Sequence, residues 1–133
     1  MIPLTDLCVS RELAERMKSI GFEQSTQFYW IQEMEGYKWI DKWKLVDYSV
    51  EKRCFSAPTV GEIEMPETID QKDEDSPYYW NMHRTDRGTD GVLGYQIRYG
   101  NAGHGDKTIS IVAKTEAEAK GIMWCYLKEN GFI

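Results

Sequence analysis

The sequence predicts an α+β fold: an antiparallel sheet of about five strands in α-β-β-α-β-β-β-α order, covered by helices near both termini. Three observations lead to it. Met17-Lys18-Ser19-Ile20 runs into Gly21-Phe22, and Leu127-Lys128-Glu129-Asn130 runs into Gly131-Phe132. A glycine just past a helix end takes the left-handed conformation, and the apolar residue after it folds back on the last turn. Between these ends lie aromatic and β-branched segments that alternate with period two. Thr59 with Glu62, and Thr115 with Glu118, are spaced as capping boxes that open helices.

The elements follow in order. Residues 3–9 read as an extended lead-in. Ser10 is the N-cap of a helix over 11–20, with Leu13, Met17 and Ile20 on one face and Ala14 beside them. Residues 27–32 carry Phe28-Tyr29-Trp30-Ile31 and form a strand. A turn at 33–36 leads to a second strand over 37–46. There Tyr37, Trp39, Trp43 and Leu45 lie on one face, interrupted by Asp41, and Lys38, Lys42 and Lys44 lie on the other with Ile40. The two strands make a hairpin.

Residues 54–58 lead into Thr59 and a short helix, which Pro66 stops. Ile69 continues the burial, and 70–76 is an acidic loop. A three-strand meander follows over 78–84, 92–99 and 108–113, with turns at 85–91 and 101–106. In its first strand Tyr78, Trp80 and Met82 alternate against Tyr79, Asn81 and His83. The last helix runs to about residue 130, with Ala119, Ile122, Met123 and Tyr126 as its apolar face.

Composition bounds the function. A chain of 133 residues fits one domain, 1–133, and buries roughly two-thirds of its unfolded surface without a staple. Hydrophobic residues are 41% of it, with five Trp and eight Tyr, so the core is rich in rings. The net charge of −6 disfavours a generic nucleic-acid backbone binder, which needs clustered Lys and Arg. Cys8, Cys54 and Cys125 are isolated and fit reduced, buried thiols. No secretory leader or apolar span is evident, which places the protein in the cytoplasm and away from membranes.

Chemistry-bearing patterns are weak. His83 and His104 are the only imidazoles, and Asp86, Asp90 and Asp106 are near them in sequence. Their spacing matches no metal-ligand pattern, so a metal-dependent or hydrolytic enzyme built on them is the least favoured reading. Asp70, Asp73, Glu74 and Asp75 lack the alternation and central glycine of a calcium loop. The glycines of 100–105 precede a strand, whereas a phosphate loop precedes a helix. No catalytic residue, cofactor site or metal site is assigned.

The aromatic surplus is the best functional signal. Trp39 and Trp43 with Lys38, Lys42 and Lys44 form a candidate surface on which single-stranded nucleic acid could stack, set against the stronger reading of the rings as core. Trp124 points away from the centre of its helix's apolar face. It either packs under a neighbouring segment or marks a contact surface for another protein or a second copy.

The residues Leu7-Cys8-Val9-Ser10-Arg11-Glu12-Leu13-Ala14, Gly21-Phe22, Phe28-Tyr29-Trp30, Ser56-Ala57-Pro58-Thr59, Glu116-Ala117 and Glu129-Asn130-Gly131 together resemble a set of small uncharacterised proteins of bacteriophages, prophages and bacterial mobile elements. The resemblance spans most of the chain, and its motifs are caps, turns and core rings. The family that the chain resembles carries no assigned activity, so no site residue follows from the resemblance. A well-specified fold with no catalytic constellation leads instead to the expectation of a small non-enzymatic accessory protein of phage or mobile-element type that acts by binding another macromolecule.

Overall fold

The computed structural model describes residues 2–69, 78–85, 94–101 and 104–133, and the side chains of all of these except 101 and 104–107. The acidic loop at 70–76, Asp86 and Asp90, and the side chains of His104 and Asp106 lie outside the described residues.

The chain is α+β with antiparallel pairing, but it builds two sheets rather than one of five strands. The first has the order β2-β1-β3 and the second β4-β5-β6-β7. In the first, β1 (Tyr29–Glu35), β2 (Lys38–Val46) and β3 (Cys54–Ser56) pair antiparallel. In the second, β4 (Thr68–Ile69), β5 (Tyr78–Thr85), β6 (Gly94–Asn101) and β7 (His104–Ala113) form a meander. The reason lies in the two short strands. β3 sits on the free edge of β1 and β4 on the free edge of β5, so hairpin and meander each acquire their own third or fourth member.

The lead-in is also not wholly extended. Leu4–Leu7 make one turn of helix, α1, opened by the Asp6 N–H donating to the Pro3 carbonyl. Proline suits this place because it has no N–H to leave unpaired at a helix start. α2 spans Arg11–Ser19, a single 3-10 turn spans Val60–Glu62, and α3 spans Glu116–Glu129.

Both glycine endings are full Schellman caps. At α2, Gly21 has φ +104°, its N–H donates to Lys18 and the Phe22 N–H donates to Met17. At α3, Gly131 has φ +78°, with the same pair of bonds to Lys128 and from Phe132 to Leu127. The apolar residue that follows each cap then packs on a ring. Phe22 meets Trp124 edge-on at 5.1 Å, and Phe132 stacks on Tyr126 at 6.4 Å.

α3 is the centre of the molecule. Ala119, Met123 and Leu127 recur every fourth residue and pack on the inner face of the second sheet, against Ile97, Tyr99 and Tyr78. Ala117, Trp124 and Cys125 pack instead with Val9, Leu13, Ala14 and Met17 of the α2 side. The helix is therefore buried on two sides, which a single apolar stripe does not describe. Gly121 makes the close approach of α2 possible. A Cβ there would lie 2.8 Å from Leu13 Cδ2 and 2.9 Å from Val9 Cγ1.

Register confirms which face of the second sheet is inner. Trp80, Tyr99 and Ile109 form one row, and Met82, Ile97 and Ile111 the next. The opposite rows, Asn81-Arg98-Ser110 and His83-Gln96-Val112, face outward.

Candidate functional site

The β1–β2 hairpin carries the candidate site. Its turn is two residues, Gly36 and Tyr37, between Glu35 and Lys38. Gly36 has φ +63°, a value that tight hairpin turns require and glycine reaches without strain. The tip exposes large apolar groups: Tyr37 is 100% exposed, Met34 49% and Trp39 41%. Met34 and Trp39 are cross-strand partners, so they stand side by side on one face.

A cation is held over this patch. The Arg53 guanidinium lies 4.8 Å from the centre of the Trp39 ring. Arg53 has φ +55°, the only positive φ on a non-glycine among the described residues. Such a backbone costs about 1–2 kcal/mol and persists when its neighbours enforce it. Gln32 of β1 does so from both directions. Its N–H donates to the Arg53 carbonyl at 3.1 Å, and its Oε1 accepts from Arg53 Nη1 at 3.0 Å.

Further along the same face the rings turn inward. Trp43 stacks on Phe55 at 5.2 Å. From one side of α2, Arg11 reaches 5.2 Å from Trp43 and Lys18 reaches 5.4 Å from Phe55. Trp30 donates its indole N–H to the Val9 carbonyl at 2.9 Å, tying this sheet to the start of α2. A groove of about 480 Å³ opens here, walled by Trp43, Trp30, Arg11 and Asp41.

The lysines are arranged otherwise. Lys38 and Lys44 pair with Glu35 and Ile31, on the face away from Trp39 and Trp43, and Lys42 falls where the register between the two strands shifts. The cations that reach the rings are Arg11, Lys18 and Arg53. None of these is near Trp39 or Trp43 in sequence, and pairing of the short β3 is what delivers Arg53. The lysines instead line β2, an edge strand, where charge discourages pairing with another sheet.

Trp124 is 8% exposed and belongs to the core under Phe22, so packing is its role. His83 is exposed on the outer face of the second sheet, opposite Gln96. No group of three or more His, Cys, Asp or Glu side chains among the described residues is placed to hold a metal.

The three thiols are free and buried. Burial, with the Glu62 carboxylate adding to it, pushes Cys8 up to about 11. Burial likewise pushes Cys125 up to about 11, with Arg16 opposing and Glu129 adding. Both are protonated at neutral pH and unsuited to nucleophilic work. Burial alone lowers Lys120, whose ammonium donates to the Val60 carbonyl at 2.8 Å and lies 5.6 Å from the Trp80 ring.

No helix of the described residues is long and apolar enough to cross a membrane. Comparison of the chain with protein-family models, with characterised proteins and with solved structures finds no match.

Proposed function

We propose that this protein is a non-enzymatic accessory protein that binds another protein through the tip of its β1–β2 hairpin. The observation that carries this reading is the Arg53–Trp39 pair, in which a strained backbone holds a guanidinium over an exposed indole. Met34 and Tyr37 extend the patch. Trp, Tyr, Met and Arg are the residue types enriched where proteins meet, and a prepaid geometry lowers the ordering cost of binding. The sequence resemblance supports placing the protein among accessory proteins of phage or mobile-element type.

The test is affinity co-purification from the native host, comparing wild type with Trp39→Ala and Tyr37→Ala. One protein retained in stoichiometric amount by wild type, and lost by both variants, supports the reading. Sedimentation of the purified protein separates self-association from a foreign partner. Retention that ignores both substitutions refutes the hairpin as the contact. A second reading, single-stranded nucleic acid on the Trp39 and Trp43 face, draws on the cations Arg11, Lys18 and Arg53 beside the rings. It predicts salt-sensitive quenching of Trp fluorescence by an oligonucleotide. Genomic neighbourhood tests the phage assignment independently.

A further inference from the structure

A second cavity is lined by none of the residues of the hairpin tip, and what it binds is independent of that surface. It measures about 530 Å³ and sits among α1, the 3-10 turn, the strand ends of β5 and β6 and the start of α3. That volume falls in the range of small-molecule sites. Leu7, Val60 and Tyr95 form its apolar walls, with Ile2 at the edge.

Arg84 and Lys114 supply cations to it. The Arg84 guanidinium lies 5.9 Å from the centre of the Tyr95 ring. Its planar N–H fork makes no side-chain hydrogen bond or ion pair among the described residues. A fork so placed matches a carboxylate or phosphate with two parallel hydrogen bonds. Neither Arg84 nor Lys114 belongs to an ion pair among the described residues.

Asp6 and Glu116 also border the cavity, so among the described residues its four charges sum to zero. A compact multivalent anion gains little there. A singly charged anion with an apolar body can bond the Arg84 fork and bury its body against Leu7, Val60 and Tyr95. We propose that this cavity binds a small amphipathic monoanion, of the class of a medium-chain carboxylate, with Arg84 as its principal anchor and Lys114 as the second.

Octanoate is the probe, titrated into the full chain while the backbone amide resonances of Val60, Tyr95 and Thr115 are followed. Saturable shifts are expected with octanoate, and none with inorganic phosphate. Octanol should bind more weakly, because it offers no charge to the fork. Arg84→Gln should weaken octanoate binding by about tenfold, the equivalent of one charge-assisted hydrogen bond pair. Lys114→Gln should weaken it less, and His83→Ala, on the outer sheet face, should leave it unchanged. Both cations are exposed, so their variants keep the fold, and the spectrum of each reports this directly. Unsaturable shifts, equal binding of octanol, or octanoate binding indifferent to both Arg84→Gln and Lys114→Gln would overturn the proposal.

Discussion

The Glu118 carboxylate of α3 closes the start of α2: it accepts from the Ser10 N–H and from the Ser10 hydroxyl, each at 2.8 Å and across 108 residues of sequence. The same Ser10 hydroxyl accepts from the Leu13 N–H at 3.2 Å, as an N-cap does. One acidic side chain on α3 therefore organises the cap of another helix. Glu118→Ala removes a carboxylate that takes two hydrogen bonds in a half-buried place. The expected loss is about 2–3 kcal/mol in denaturant unfolding. Thr115→Ala, which removes only the local bond to the Glu118 N–H, should cost about 1 kcal/mol.

Gly121 is the contact point of α2 and α3, and a methyl group there meets Leu13 and Val9 at less than van der Waals distance. Alanine would gain about 1 kcal/mol in helix propensity. Overpacking costs about 1–3 kcal/mol and should dominate, because both neighbours are buried. Gly121→Ala is thus expected to destabilise, and Leu13→Ala should partly relieve it. A double-mutant cycle by urea unfolding measures that coupling; strict additivity of the two losses would contradict the contact.

A Cβ at Gly131 would meet nothing within 4 Å among the described residues, so substitution there tests backbone conformation. Gly131→Ala should lower stability by about 1–2 kcal/mol through its positive φ. Thermal unfolding reads the effect, and an unchanged midpoint would mean that the last turn of α3 gives up its cap at no cost.

Arg53 separates stability from function. Arg53→Gly relieves about 1–2 kcal/mol of backbone strain. It also loses the bond to Gln32 and the contact with Trp39, worth a similar amount at an exposed site. The melting point should therefore move little, while capture of the hairpin's partner falls. Loss of folding without any change in capture would reverse the roles assigned to this residue.

Cys8 and Cys125 hold their protons more tightly in the folded state than their ordinary value of 9.0. The stability they contribute is fully present below that value and is lost as pH rises toward about 11. Unfolding followed by denaturant between pH 8 and pH 11 should show a declining midpoint, and both thiols should resist iodoacetamide at pH 8 until the protein is unfolded.

The helix ends were legible in the sequence because their bonds are local. Each Schellman cap joins residues within six positions, and glycine is the residue its φ demands, so Gly21 and Gly131 announce themselves. The β1–β2 hairpin and the β5–β6–β7 meander were legible for the same reason, since period-two alternation belongs to each strand alone. What the sequence left unmarked is every partnership between distant segments. β3 and β4 are three and two residues long, too short to carry a period, and only docking on β1 and β5 makes them strands. That docking divides the expected single sheet in two and brings Arg53 onto Trp39.

Glu118 states the division most directly. Its spacing from Thr115 marks a helix start, and the Thr115 hydroxyl does accept from its N–H. The carboxylate, free to turn toward its own helix end, goes to Ser10 instead. Local spacing determines where a helix begins, because backbone geometry sets the reach of a cap. Tertiary packing decides where a long polar side chain spends its hydrogen bonds, because that depends on which unpaired donors the folded chain brings within its length.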